Sequence, residues 1–365
     1  MTIAIIADPL DNQRAGVHVY VRELVRELAD YEGPHTFLLI REKADPALDL
    51  RQIEVANIHA PVGYASLRLF VLIPRLLTKL EVDVVFEPAH FGPFNLPRNI
   101  RRVTMIHDLT PILFPEHHRF HSRLLQQLFL KRILRRTDLV LTNSLHTSSD
   151  VERVYPFTKG KVTTIHLGRD ESFRPDAGQE FRQTYDLDHP YFLYVGTVEP
   201  RKNLLLLLEA YQAFRERHPS PTPLVIVGQK GWKSQSFYDA VAAHPYQENI
   251  RLTGFVEQRL LPQAYTSALA LVYPSIYEGF GFPVLEALAC GTNVVCPANS
   301  SLPEVGGELA YYYPTHDAAA LTNRLLEVAQ GGPEVDQRAA AGPAWAADFS
   351  WRTYAANFVR AVVGS

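Results

Sequence analysis

Ala268-Leu269-Ala270-Leu271-Val272-Tyr273-Pro274-Ser275-Ile276-Tyr277-Glu278-Gly279-Phe280-Gly281-Phe282-Pro283-Val284-Leu285-Glu286-Ala287-Leu288-Ala289-Cys290-Gly291 passes from one apolar run through two glycines into another. The first six residues suit a buried parallel strand, Pro283 suits the first turn of a helix, and Gly291 suits its end, so the segment reads strand, loop, helix. Glu278 then lies in the loop and Glu286 in the first turns of the helix. Gly279 and Gly281, on either side of Phe280, let a ligand approach the backbone closely. The unpaired N–H groups at a helix start favour an anion or a polyhydroxylated group. The same residues also fit an ordinary doubly wound turn in which Glu286 only offsets the helix dipole.

Outward from this stretch, apolar strand-like runs alternate with helix-like ones. In the first half they are Thr2–Ala7, Thr36–Ile40, Val82–Glu87, Val103–His107, Asp138–Asn143 and Lys161–His166, with an amphipathic Val17–Ala29 after the first. In the second half they are Tyr191–Gly196, Leu224–Val227, Ile250–Gly254, Leu269–Tyr273 and Asn293–Pro297. Such alternation predicts mostly parallel sheets covered by helices, an α/β chain of two doubly wound Rossmann-like domains with ligands in an interdomain cleft. The polar, proline-broken Arg169 to Pro190 reads as the linker, which gives domains of 1–170 and 171–349 and a helical segment over 350–365.

With 365 residues, 47% of them hydrophobic, the chain has ample material for two cores. A formal charge of −3 gives no reason to invoke a nucleic-acid partner. Met1 to Asp8 runs into strand-like residues without a basic leader and no apolar run is long enough to span a bilayer, so a cytoplasmic location is expected. Cys290 and Cys296 lack metal-ligand spacing and read as packed thiols. Asp186-Leu187-Asp188 spells Asp-x-Asp but precedes a strand, and Glu116-His117-His118 with His121 completes no coordination set, so no metal ligands are assigned.

Glu278-x7-Glu286, inside Glu-Gly-Phe-Gly-Phe-Pro, resembles the signature of retaining glycosyltransferases of family 4, which have the two-domain GT-B fold. The resemblance implies that Glu278 contacts a donor sugar, that Glu286 hydrogen-bonds a nucleotide ribose, and that the last helix crosses back to the first domain. Arg201 and Lys202 follow the first strand of the second domain and precede a leucine-rich helix. On their own they fit either a phosphate clamp or solvated loop charges. Pro200-Arg201-Lys202-Asn203 resembles the family motif that stabilises the departing nucleoside diphosphate. Leu252-Thr253-Gly254-Phe255-Val256 resembles the strand end that binds the base, and Asn299 to Val305 resembles the segment after the Glu-x7-Glu helix.

The first-domain match is sparser. Gly16 opens the Val17–Leu24 helix where backbone N–H groups could meet donor phosphate or sugar, although Ala15 stands where family members often carry a second glycine. His107 ends a strand where the family has a histidine against the donor sugar; read alone it fits a hydrogen-bonded structural residue equally well. Asp108 and Ser144 are lesser candidates.

The resemblance implies retaining, metal-independent transfer of a hexose from a nucleoside diphosphate sugar, a substrate and not a cofactor, to a glycan or lipid-linked acceptor. His107-Asp108-Leu109 with Phe114-Pro115-Glu116 resembles bacterial mannosyltransferases of polysaccharide assembly, hence GDP-mannose. A sugar-nucleotide epimerase and a non-catalytic sugar-nucleotide sensor are the rival readings. Arg119, Arg123, Lys131, Arg132, Arg135 and Arg136, interleaved with leucines, read as a core helix with solvated cations or as a peripheral membrane contact. Alanine at Lys202 or Arg201 is expected to lower kcat on the order of 10² while leaving folding nearly unchanged.

Overall fold

The computed structural model describes residues 1–11, 16–56, 67–93, 95–115, 129–218 and 221–364. Two compact units divide the chain, Met1–Gly168 with Ser350–Ser365, and Arg169–Phe349.

The first unit is built on a seven-stranded sheet. Its strands are β1 (Thr2–Ile6), β2 (Thr36–Arg41), β3 (Arg51–Glu54), β4 (Val84–Glu87), β5 (Arg101–Ile106), β6 (Leu139–Thr142) and β7 (Val162–Thr164), in the order β3-β2-β1-β4-β5-β6-β7. Each pairing is parallel; β1 lies between β2 and β4 with Ile3 opposite both Phe37 and Val84. Alternate strand residues Ala4, Ile6, Leu38, Ile40 and Val85 share one face and pack against Ile73 and Leu77, the period of two expected of side chains on a pleated strand. The segment after Phe349 returns to this unit as the Trp351–Val363 helix, capped by Ser350 and packed against the Gly16–Ala29 helix. Tyr20 and Tyr354 share a hydroxyl–hydroxyl bond of 2.6 Å, and Phe86 meets Phe358 edge-on with ring centroids 4.7 Å apart.

The second unit carries β8 (Tyr191–Val195), β9 (Leu224–Val227), β10 (Ile250–Gly254), β11 (Ala268–Val272), β12 (Asn293–Pro297) and β13 (Tyr311–Tyr313), all parallel, in the order β10-β9-β8-β11-β12-β13. Arg169 to Pro190, read as a linker, is part of this unit: Phe173, Phe181 and Leu187 are buried in it, and Arg169 N–H donates to Phe349 O at 2.9 Å. The polar composition that suggested a linker belongs to the residues between those three anchors. The Phe282–Ala289 helix buries Val284, Leu285, Ala287, Leu288 and Ala289 and packs on the Pro333–Ala347 helix, where Gly342 permits the approach; a Cβ there would stand 2.5 Å from Leu288 O. Burying an aliphatic side chain such as Leu285 contributes about 2 kcal/mol, so packing fixes this helix and the turn before it.

Candidate active site

Sheet order in the second unit reverses between β8 and β11, so the loops leaving their carboxyl ends lie side by side, where open α/β sheets bind ligands. The loop after β8 makes one tight turn over Pro200–Lys202 and reaches Asn203 in the left-handed conformation, φ 55°, before the Leu204–Arg217 helix. The loop after β11 runs through Tyr273, Ser275 and Glu278 to Gly281, whose φ of 111° suits glycine, and enters the Phe282–Ala289 helix. Backbone and guanidinium of Arg201 tie the loops together: Ile276 N–H donates to Arg201 O at 2.9 Å, and Arg201 Nη1 donates to Tyr277 O at 2.6 Å.

Four groups converge on one oxygen of Glu278. Its Oε1 lies 2.5 Å from Lys202 Nζ, 2.5 Å from Ser275 Oγ, 3.1 Å from Tyr273 OH and 3.0 Å from Arg201 Nη1. Oε2 has no hydrogen-bond partner among the described residues. Lys202 Nζ also donates to Tyr273 OH at 2.6 Å, and Arg201 Nη2 pairs with Glu199 Oε1 at 2.6 Å. Burial by itself would raise the Glu278 carboxyl, but Arg201 and Lys202 outweigh it and hold it at about 2. Burial pulls the Lys202 ammonium below its ordinary value, and Glu278 pulls the other way. With Lys202 only 7% exposed, the solvated-loop reading of these cations does not hold.

Ser300 and Ser301 secure the glycine loop from the segment after β12. Ser300 Oγ accepts from Glu278 N–H at 3.0 Å, while Ser301 Oγ donates to Glu278 O at 3.0 Å and to Phe280 O at 2.7 Å. A buried anion therefore sits in a pre-formed turn, between two cations and a helix start, with one oxygen left to accept.

The description "Glycosyl transferases group 1" matches residues 178–345 and "Glycosyltransferase Family 4" matches residues 14–173. O-antigen chain mannosyltransferase B of Escherichia coli is 34% identical over 278 residues, 74% of this chain and 73% of that protein. The chain belongs to glycosyltransferase family 4. Sucrose-phosphate synthase from Thermosynechococcus elongatus superposes with a TM-score of 0.76 at 21% identity, covering 99% of this chain and 98% of that one. Anabaena Alr3699/HepE in complex with UDP-glucose gives 0.71 at 17% identity, covering 99% and 98%. These likenesses are of fold, and the fold is GT-B.

Elsewhere in this family 4 glycosyltransferase, Glu286 lies on the Phe282–Ala289 helix, half-buried, with Tyr265 OH donating to Oε2 at 2.7 Å. Burial pushes its carboxyl up to about 7, against the lowering effect of Tyr265. Gly254 ends β10, after which Phe255 is 69% exposed and Val256 is buried. Phe280 is buried between Phe282 and Phe349, so the residue between the two glycines serves packing with its side chain and leaves only its backbone for a ligand.

In the first unit Gly16 is the exposed first residue of its helix, and Asn12 to Ala15, including the Ala15 position, lie outside the described residues. His107 is half-buried beyond β5; its Nε2 lies 2.8 Å from Pro88 O, and its N–H donates to His90 Nε2 at 2.7 Å. Burial first, and His90 second, lower its ring to about 4, so it is neutral at physiological pH. Two lesser candidates do structural work. Asp108 Oδ1 accepts from Thr110 N–H and Oγ1 at 2.9 and 2.6 Å, and buried Ser144 caps the Leu145–Val154 helix by accepting from Thr147 N–H at 3.1 Å.

Asp186 and Asp188 are exposed around buried Leu187, at the amino end of β8 and away from the ligand end of the sheet. Glu116, His117, His118 and His121 lie outside the described residues. Cys290 and Cys296 are free, buried thiols whose ionisation burial pushes up. Of the basic stretch, the described part is the Lys131–Arg136 helix: Leu130, Ile133 and Leu134 are buried while Lys131, Arg132, Arg135 and Arg136 are exposed, and Arg119, Arg123 and the leucines up to Leu128 lie outside the described residues. Among the described residues no helix is long and apolar enough to cross a membrane.

Sequence reasoning missed Tyr273, Ser275, Glu199, Tyr265, Ser300 and Ser301. Tyr273 carried a usable signal, since a tyrosine closing an apolar strand needs a partner for its hydroxyl. Glu199 directly precedes the quoted Pro200–Asn203 motif. The two serines lie in the Asn299 to Val305 segment, but their contacts were hidden because they are with backbone groups of Glu278 and Phe280 in another loop.

Proposed function

We propose that the chain transfers a hexosyl unit from a nucleoside diphosphate sugar to an acceptor hydroxyl, with retention of anomeric configuration and without a metal. The observation that carries this reading is the Glu278 carboxylate, saturated at Oε1 by Lys202, Arg201, Tyr273 and Ser275 and, among the described residues, left without a partner at Oε2. An anion of that kind accepts a sugar hydroxyl. The two cations beside it and the N–H groups opening the Phe282–Ala289 helix suit a diphosphate.

In the proposed step the acceptor oxygen bonds to the anomeric carbon, the bond from that carbon to the phosphate oxygen breaks, and the acceptor proton passes to the leaving phosphate. Lys202 and Arg201 stabilise the charge that develops there, a contribution that is often the largest in catalysis. Glu278, held as an anion well below neutral pH, is a poor base and acts through hydrogen bonding. His107, being neutral, contributes a hydrogen bond to the sugar.

Mannose is the first choice of sugar and GDP-mannose of donor, supported by the relative whose name is O-antigen chain mannosyltransferase B. The acceptor is then a glycan or lipid-linked glycan. A thermal-shift panel of nucleoside diphosphates and their sugars tests the ligand class: at a hundred times Kd a ligand specific for the folded state adds about 2.7 kcal/mol. A shift from GDP and GDP-mannose is expected, and no shift from any member would overturn the reading.

Glu286 gives a pH dependence whose sign follows from its raised carboxyl. Ribose hydroxyls donate, so they bind the ionised form, which is lost as pH falls through about 7. GDP-mannose, whose diphosphate does not titrate in this range, is expected to bind roughly tenfold more weakly at pH 6 than at pH 8. Calorimetry on wild type and Glu286→Gln checks this; equal pH dependence in both proteins would remove Glu286 from ribose binding.

Peripheral contact with an anionic membrane is proposed through the exposed Lys131, Arg132, Arg135 and Arg136, whose apolar neighbours are committed to the core. Vesicle sedimentation is expected to show salt-sensitive binding that Arg132→Glu with Arg135→Glu abolishes. Absence of binding at low salt would contradict it.

A further inference from the structure

β8 and β11 are neighbours in the second sheet, and each buries a tyrosine toward its carboxyl end, Tyr194 within β8 and Tyr273 immediately after β11. The two rings stack with centroids 6.0 Å apart and 18° between their planes, and Tyr194 OH donates to Thr197 O at 3.1 Å. Lys202 Nζ lies 4.8 Å from the centroid of the Tyr273 ring. Phenylalanine at this position would keep both the stack and the cation–π contact, so neither gives a reason for the hydroxyl.

The hydroxyl has partners of its own, Lys202 Nζ at 2.6 Å and Glu278 Oε1 at 3.1 Å. An ammonium only donates and a carboxylate only accepts, so the Tyr273 oxygen accepts from Lys202 and gives its single hydrogen to Glu278. Burial first and Glu278 second push the phenol up, which keeps that hydrogen in place at physiological pH. Lys202 has three hydrogens to place. One goes to Tyr273, one goes to Glu278 Oε1 at 2.5 Å, and the third has no partner among the described residues. Acceptors on two different residues hold both the position of the nitrogen and its rotation, so the direction of the third hydrogen is set.

We propose that Tyr273 is a positioning residue: its hydroxyl bridges the Lys202 and Glu278 side chains, so that the third ammonium hydrogen is held ready for the leaving phosphate. That this hydrogen meets a leaving phosphate rests on the nucleotide-sugar reading above, whereas the bridge does not. Tyr273 itself touches no substrate in this account; it acts through Lys202.

A double-mutant cycle of Tyr273→Phe with Lys202→Met on the full-length protein, read in kcat for GDP-mannose and in urea denaturation, tests this. Tyr273→Phe removes only the hydroxyl and is expected to lower kcat about tenfold, the loss of one hydrogen bond to a charged group. KM should stay within about threefold, because stabilisation of the leaving group is made in the transition state. In the Lys202→Met background the same substitution is expected to change kcat less than about twofold, since the group it positions is gone. The unfolding constants in urea should show a coupling of about tenfold between the two positions. A tyrosine that only filled space would give additive effects. A folded Tyr273→Phe with kcat within about twofold of wild type, or an equal loss with and without Lys202, would overturn the proposal. If Tyr273→Phe does not fold, 3-fluorotyrosine at position 273 takes its place, nearly unchanged in shape and a poorer acceptor for Lys202: a lower kcat at constant KM is expected, and an unchanged kcat would overturn the proposal. Should wild type fail to turn over GDP-mannose, the sugar reading falls, and the urea cycle then decides the bridge by itself, with absence of coupling counting against it.

Discussion

Replacing Lys202 with alanine is expected to cost both turnover and stability. The ammonium stands between Glu278 and Tyr273 and is buried, so its removal deletes an electrostatic donor at the proposed leaving group and lowers kcat on the order of 10² or more. The same removal leaves Glu278, a buried anion, with Arg201 as its one cation among the described residues, and breaking a buried ion pair in this way costs on the order of 3 kcal/mol. The expectation from sequence that folding would be nearly unchanged did not include the buried contact between Lys202 and Glu278. Urea denaturation and steady-state rates on one preparation check both numbers. A fully stable Lys202→Ala with near-normal kcat would remove Lys202 from the mechanism and the ion cluster from the stability of the unit.

Glu278→Gln keeps the shape of the side chain and removes its charge, and it is expected to be the more damaging change for the sugar. Lys202 and Arg201 lose the anion that places them, and the sugar hydroxyl loses a charged acceptor, whose hydrogen bonds are worth roughly twice neutral ones. Affinity for GDP-mannose should fall on the order of 10-fold to 100-fold, with affinity for GDP falling much less, because the diphosphate meets the cations and not the carboxylate. Paired calorimetric titrations decide it. Equal losses for GDP and GDP-mannose would mean that Glu278 acts only by holding the cations.

The parallel strands were legible because a strand covered on both faces is a run of apolar residues, as in Leu224–Val227 and Asn293–Pro297. Two strands escaped. β3, Arg51–Glu54, is an edge strand with one apolar residue in four, and β13, Tyr311–Tyr313, is three tyrosines long at the other sheet's edge. Arg169 to Pro190 was misread because buried Phe173, Phe181 and Leu187 are spaced too widely to show a period. Motif residues around Glu278 could be singled out from their local context, but the ion pair between Lys202 and Glu278 joins positions 76 apart and follows only from the adjacency of β8 and β11. The same holds for His90 and His107, which meet because β4 and β5 are neighbours.

The central claim is transfer of a hexosyl unit from a nucleoside diphosphate sugar. It is tested most directly by incubating chelator-treated protein with GDP-mannose and a mannose-terminated oligosaccharide, and following the anomeric proton of the product together with released GDP. The account predicts one GDP released per mannosyl unit transferred, in a linkage that keeps the anomeric configuration of the donor. GDP-mannose converted into an isomer without release of GDP, an inverted linkage, or activity that returns only on adding manganese or magnesium would contradict it.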